Sequence, residues 1–333
     1  MRTFLKRLTI AIGILAAIVC VLAILFFNKY PDISPPADIK VEATPERVAR
    51  GEYLANHVTV CIDCHSTRNW SKFSGPITPG THGKGGDEFN ELVGGVPGRI
   101  FASNITPVGI KDYTDGELLR AFTTGVTRTN RSLFPLMPYF AYNHLTQEDA
   151  YSIVAYIRSL EPIENKVSES TLNFPMNLIV RTIPLHSFEP TLPTESSDQI
   201  SYGKYVASIS ACGDCHTPAE KGEPISGMDY AGGFTFMFPG GIVRTANITP
   251  DPQTGIGNWT KEDFVARFKA FTSPESIPDV QPEDFNTPMP WTMYAGMKEK
   301  DLGAIYDYLR TVPPVHNAVE RFSPYETEPK EGN

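Results

Sequence analysis

Two pentapeptides decide how this chain is read: Cys61-Ile62-Asp63-Cys64-His65 and Cys212-Gly213-Asp214-Cys215-His216. Cys-x-x-Cys-His is the attachment signature of c-type haem. Two thiols one helical turn apart can each form a thioether to one edge of a porphyrin. The adjacent histidine then lies under the iron and supplies an axial nitrogen. One such pentapeptide can arise by chance, but two of them, using all but one of the 5 cysteines, are hard to read otherwise. A zinc site would have to gather its ligands from two distant segments and would leave both histidines unexplained. A thioredoxin-like pair fails because no βαβ pattern surrounds either motif.

Outward from the motifs, the chain repeats itself. Gly51-Glu52-Tyr53-Leu54-Ala55 corresponds to Gly203-Lys204-Tyr205-Val206-Ala207, and Ser103-Asn104-Ile105-Thr106-Pro107 to Ala246-Asn247-Ile248-Thr249-Pro250. Pro135-Leu136-Met137-Pro138-Tyr139 corresponds to Thr287-Pro288-Met289-Pro290-Trp291, and Tyr156-Ile157-Arg158 to Tyr308-Leu309-Arg310. The step from Met to the late Tyr is the same in both copies. The step from His65 to Met137 is one residue shorter than that from His216 to Met289. Extra sequence falls around Thr78–Glu91 in the first copy and Pro274–Glu283 in the second, as insertions in surface loops do.

The local signals are helical. Thr44 with Pro45 behind it is an N-cap followed by proline at the first helical position. Thr114 and Thr260 open capping boxes with Glu117 and Asp263, and Thr146 starts a further helix. Ala150, Ile153, Val154, Ile157 and Leu160 form one apolar stripe, and Leu302, Ile305, Leu309 and Val312 another. Gly51 weakens its helix by about 1 kcal/mol relative to Ala, which close approach of another helix would offset. The first helix of each repeat should therefore cross the last at Gly51 or Gly203. Strand-like alternation is scarce, so the expected fold class is all-α.

The expected organisation runs in order. Residues 1–30 are a cytoplasmic tip and anchor, 31–43 a tether, 44–160 the first domain, 161–198 a linker, 199–320 the second domain and 321–333 a tail. Leu8–Phe27 carries no charge and is long enough to cross a bilayer. Arg2, Lys6 and Arg7 precede it, which places the rest outside the cytoplasm. A cleaved signal would have a shorter core and small residues at its end; this run ends Leu25-Phe26-Phe27-Asn28-Lys29-Tyr30. Cys20, within it, reads as a buried apolar residue. Pro162, Pro175, Pro184, Pro190 and Pro193 break the linker into extended pieces, and Phe174–Ile183 is apolar enough to lie across the domain interface. The tail after Pro313-Pro314 is polar and should be loosely held. Of the net charge of −9, residues 1–30 hold four bases and no acid, leaving −13 for the remainder. Such a surface suits neither nucleic acid nor anionic lipid headgroups.

His65 and His216 are the proximal iron ligands, with Cys61, Cys64, Cys212 and Cys215 as covalent attachment points. Met137 and Met289 are the distal ligands, each at the same place in its repeat and held in a proline-bounded loop. A thioether favours reduced iron and raises the potential, which suits electron transfer. Met176, Met228, Met237, Met293 and Met297 have no counterpart and read as core filler. His57, His82, His144, His186 and His316 read as surface or capping residues; His82 is the one that could displace a methionine. Asn104 and Asn247 fit either turn chemistry or a hydrogen bond to the haem edge, and Arg99 and Arg244 could pair with propionates. Pro76 and Pro224 are placed to offer carbonyls to the second nitrogens of the two histidines.

With these stretches in view, the sequence resembles the membrane-associated multihaem cytochrome c subunits of bacterial alcohol and gluconate dehydrogenases. The resemblance rests on Arg50–Leu54, both Cys-x-x-Cys-His motifs, both Asn-Ile-Thr-Pro segments, Phe134–Tyr139 and Tyr308–Pro314, and covers most of residues 44–315. Those subunits usually carry three haem motifs where this chain has two. The resemblance implies a tandem pair of class I cytochrome c-like domains holding two covalent haem c groups. It implies a carrier, not an enzyme, that takes electrons from a periplasmic dehydrogenase and passes them to quinone, a soluble cytochrome or an oxidase. The alternatives are a dihaem peroxidase, which needs an open distal position on one iron, and an obligate subunit of a dehydrogenase complex.

Overall fold

The computed structural model describes residues 1–192, 198–220 and 222–325. Pro193, one of the prolines expected to break the linker into extended pieces, and the tail beyond Tyr325 lie outside the described residues. Helix α1, Arg2–Lys29, stands apart with no buried residue, and its window of mean hydropathy 3.2 marks a helix long and apolar enough to cross a membrane. The first repeat then contributes α2 (Pro45–Tyr53), α3 (Cys61–Cys64), β1 (Glu88–Asn90), β2 (Gly98–Phe101), α4 (Asp115–Thr124), α5 (Tyr139–Tyr142) and α6 (Gln147–Ser159). After β3 (Thr171–Leu172) and α7 (Met176–Ile179) the second repeat follows. It has α8 (Gln199–Ile209), α9 (Cys212–His216), β4 (Ala219–Glu220), β5 (Glu223–Pro224), β6 (Thr235–Phe238), β7 (Gly241–Arg244), α10 (Lys261–Lys269), α11 (Trp291–Tyr294), α12 (Glu299–Leu309) and β8 (Phe322–Pro324).

The helix starts are those the caps dictate. Thr44 accepts from the Arg47 amide with Pro45 behind it, and Thr114 and Thr260 both close capping boxes. In each repeat the first helix crosses the last at its glycine. A Cβ on Gly51 would lie 1.9 Å from the Ser152 carbonyl oxygen of α6, and one on Gly203 1.9 Å from that of Ala304 in α12. Only glycine permits backbones to approach that closely.

The all-α expectation is overturned. The described residues hold three antiparallel sheets, in orders β1-β2-β3, β4-β5 and β6-β7-β8, and the fold is mixed α/β. Strands of two to four residues are too short for alternation to show. Two of the sheets are part of the repeat: in each, a hairpin takes its third strand from the segment after the last helix. The polar tail expected to be loose therefore supplies β8, which pairs with β7 from Gly241↔Pro324 to Val243↔Phe322. The hairpin turn between Phe238 and Gly241 is Pro239-Gly240, a turn signal that the helical reading passed over.

The first repeat has one more residue than the second between its tyrosine (Tyr53, Tyr205) and its first motif cysteine (Cys61, Cys212). A π-helical turn over Leu54–Val58 absorbs it: the Thr59 amide donates to the Leu54 carbonyl (2.8 Å), whereas Ser210 reaches only as far back as Val206 (3.0 Å). The two copies keep equivalent positions on either side of this insertion.

Both repeats share one continuous core, with Leu54, Ile62, Leu145 and Ile153 from the first and Ile209, Leu302 and Leu309 from the second. Burying each contributes about 1.5–3 kcal/mol. The contact between repeats is reciprocal. The Tyr53 hydroxyl donates to Asp301 of α12 (2.5 Å) and accepts from the Lys298 amide (3.0 Å). Its counterpart Tyr205 donates to Asp149 of α6 (2.6 Å) and accepts from the Thr146 amide (3.2 Å). Equivalent residues exchange equivalent bonds, so the repeats are related by a pseudo-twofold axis.

Segment Phe174–Ile183 does not lie across this interface. It forms α7, with Phe174 78 % and Ile179 46 % exposed, and continues to Arg181, whose guanidinium bonds the Tyr30 carbonyl and sits over the Phe27 ring. Phe174 and Ile179 face outward beside the end of α1, whereas Val180 is buried.

Candidate haem-attachment sites

Each Cys-x-x-Cys-His forms a single helical turn, α3 or α9, entered through a left-handed residue: Val60 at φ 44° and Ala211 at φ 54°. The β-branched Val60 is a steric outlier in that region, and the left-handed conformation recurs at Ala211, the same place in the second copy. The turn carries both cysteines of each pair on one short helix, and all four thiols are free. Burial pushes the Cys61 thiol up to about 11 and those of Cys64, Cys212 and Cys215 to about 12, so they are uncharged. Among the described residues no group of three or more His, Cys, Asp or Glu is placed to hold a metal ion on its own.

The histidines are held alike. Nδ1–H of His65 donates to the Ser103 carbonyl (2.7 Å), and Nδ1–H of His216 to the Ala246 carbonyl (2.8 Å). A carbonyl only accepts, so the proton sits on Nδ1 and the lone pair on Nε2. Burial pushes the His65 imidazole down and that of His216 to about 4, which keeps both neutral near pH 7. Uncharged paired thiols beside a neutral imidazole with a free Nε2 are the donor set that covalent haem c requires, and the residues fit the group.

The orienting carbonyls are not those of Pro76 and Pro224. The Pro76 carbonyl takes the Asn69 amide, and Pro224 lies in β5. Ser103 and Ala246 do this instead, and each directly precedes the repeated asparagine. Oδ1 of Asn104 accepts from the Thr106 amide and hydroxyl, while its amide donates to the Ile163 carbonyl (2.8 Å). Asn247 repeats the pattern with Thr249 and Val315. The asparagines thus lock the turn that aims the carbonyl. Arg99 forms a bidentate pair with Glu88, and Arg244 bonds the Glu320 carbonyl and the Ser323 hydroxyl.

Met137, Met289 and Cys212 are half-buried and pack against the core cluster that includes Cys61. Met293 and Met297 are buried in that core, and His82 is exposed. His57 differs from the expectation of a surface or capping residue: its Nδ1–H donates to the Met293 carbonyl across the repeat interface (2.9 Å). The Met289 loop also has a support that no motif announces. Ser74, in the first repeat, donates from its hydroxyl to the Met289 carbonyl (2.6 Å) and accepts from the Trp291 amide (2.9 Å), and its own amide donates to Asn286 (2.8 Å). Arg68 ties this clasp to the first motif. It pairs with Asp63 (3.0 Å) and donates to the carbonyls of Ser74 (3.0 Å) and Gly75 (3.1 Å). Ser74 itself sits in the left-handed region at φ 65°.

Residues 200–313, which hold the second Cys-x-x-Cys-His turn, match the cytochrome c family. More particularly, the chain is similar to cytochrome c subunits of dehydrogenases. It is 27% identical over 289 residues to the "Alcohol dehydrogenase (quinone), cytochrome c subunit" of Gluconacetobacter polyoxogenes, covering 82% of this chain and 58% of the relative. It is 29% identical over 278 residues to the "Fructose dehydrogenase cytochrome subunit" of Gluconobacter japonicus (80% and 52%). It is also 29% identical over 240 residues to the "Gluconate 2-dehydrogenase cytochrome c subunit" of Pantoea cypripedii (67% and 51%). The chain spans little more than half the length of these relatives.

Proposed function

We propose that this protein is a dihaem c-type cytochrome that accepts electrons from a periplasmic dehydrogenase and passes them towards the respiratory chain. The observation that carries the reading is the paired arrangement of the two Cys-x-x-Cys-His turns, each with its histidine aimed by a carbonyl from the following loop. The similarity to dehydrogenase cytochrome subunits supports the donor.

A haem bound in each repeat supplies a one-electron couple at iron. In this reading Cys61, Cys64, Cys212 and Cys215 fasten the two groups, and His65 and His216 present Nε2. Met137 and Met289 supply thioethers that favour the reduced state. The two repeats, 44–160 and 199–320, bring their sites to a common interface. Burial holds the Tyr142 phenol protonated, and Asp214 of the other repeat acts in the same sense; Tyr294 is held reciprocally, with Asp63 of the first repeat acting on it. Helix α1 crosses the bacterial inner membrane once, with the haem domains in the periplasm. Quinone, a soluble cytochrome or an oxidase accepts the electrons.

Mass spectrometry of the denatured protein should show two haem masses retained; one or none sinks the dihaem reading. Purification from mild detergent should bring down a dehydrogenase, and the purified protein should not turn over peroxide.

A further inference from the structure

The surface beyond residue 30 is acidic overall, yet three arginines converge where α1 leaves the apolar stretch. Arg120, Arg128 and Arg181 line a cleft of about 570 Å³ whose other walls include Phe27, Ile33 and Glu117. The charge in it is unbalanced. Glu117 lies 3.9 Å from Arg128 and is also engaged by the Thr114 amide in the capping box. Arg120 is only 8 % exposed; its terminal nitrogen donates to the Thr127 carbonyl and to Asn130, but its Nε has no partner. Nε of Arg181 is likewise buried and unpaired. A buried unpaired guanidinium donor is costly, and with three guanidinium groups against one carboxylate the cleft calls for an anionic acceptor. Burial holds the Arg120 guanidinium below its ordinary value, with the Glu117 charge only partly opposing it.

The position of the cleft names the source of that anion. It lies at the last turn of α1, and the segment that brings Arg181 also carries the exposed Phe174 and Ile179. Apolar side chains facing outward beside arginines, at the end of a spanning helix, match the boundary between acyl chains and headgroups.

We propose that the cleft binds the phosphodiester of an anionic phospholipid of the outer-facing leaflet, with Arg120, Arg128 and Arg181 as its donors and the acyl chains running beside Phe27. The inference rests on the reading of α1 as a membrane anchor. Arginine suits the role because its planar donors match phosphate oxygens in pairs. The bound lipid would fix the haem domains at a set height and rotation above the membrane, a constraint that the tether at residues 31–43 cannot impose alone.

The test uses full-length protein in detergent, titrated with phosphatidylglycerol, with phosphatidylcholine and with inorganic phosphate, and read by native mass spectrometry. Phosphatidylglycerol should be retained in preference to phosphatidylcholine, and Arg128→Gln with Arg181→Gln should weaken its retention about tenfold, the loss of about 1.4 kcal/mol. Arg120 is left in place because its bonds to Thr127 and Asn130 support the fold. Retention equal in wild type and the double variant overturns the proposal, as does displacement of the lipid by millimolar phosphate, which would make this a free-phosphate site. Alkaline extraction of membranes separates the two readings: protein released from the membrane refutes the anchor, whereas protein that stays but shows no arginine-dependent lipid refutes only the cleft.

Discussion

Replacing Ser74 with alanine tests whether one repeat holds the other's methionine loop. Ser74 is fully buried, and its hydroxyl bridges the Met289 carbonyl and the Trp291 amide. Alanine accepts the same backbone, so the strain at φ 65° cancels between the two proteins. The Trp291 amide keeps its separate bond to the Met289 carbonyl (2.8 Å), so neither group is wholly orphaned. The loss is then that of two hydroxyl bonds at about 1–1.5 kcal/mol each, less a modest return for no longer burying a hydroxyl, or about 2 kcal/mol net. Ser71→Ala is the control, because Ser71 is exposed and its hydroxyl bonds only Asn69; it should stay within about 0.5 kcal/mol of wild type. Stability is read by urea unfolding followed by circular dichroism, and the haem potentials by redox titration. Ser74→Ala should lower stability by the stated amount and shift the potential of the second site while leaving the first near its wild-type value. If Ser74→Ala matches Ser71→Ala in stability and moves neither potential, the clasp is a contact without consequence and the reasoning is wrong.

Three further outcomes are expected. Gly51→Ala and Gly203→Ala should each destabilise by about 2–3 kcal/mol in the same unfolding assay. The Cβ meets a carbonyl oxygen at 1.9 Å, and the overpacking exceeds the gain of about 1 kcal/mol in helix propensity. Met137→His and Met289→His should each lower one potential, because imidazole favours ferric iron more than a thioether does, whereas Met228→His should leave both near wild type. The Arg99 and Asn90 side chains hold the Glu88 carboxyl down to about 2, so their stabilisation is complete above the ordinary glutamate range near 4.5 and is lost as pH falls towards 2. The stability difference between wild type and Arg99→Gln should therefore shrink over that window, and a difference that stays constant down to pH 2 would place the arginine's partner elsewhere.

What could be read directly from the residues was local or periodic. The two Cys-x-x-Cys-His turns, the caps at Thr44, Thr114, Thr146 and Thr260, and the repeat register are properties of short windows or of one window compared with another. Gly51 and Gly203 were legible as crossing points because a glycine mid-helix needs a reason, and a neighbouring backbone is the usual one. The strands were not legible: β3 and β8 form only by joining hairpins distant in sequence, and two or three residues carry no period.

The tertiary structure decided which group orients each histidine. Ser103 and Ala246 act through backbone carbonyls, which are the same in every residue and leave no mark in the sequence. It also decided that the repeats exchange Tyr53 with Asp301 and Tyr205 with Asp149, and that Ser74 supports the Met289 loop. The sequence by itself determined the two cysteine pairs that are consistent with covalent haem attachment, because the thioether spacing is set by a single helical turn. How those sites are aimed and joined was left to contacts between segments far apart in the chain, whose partners only the packed core brings together.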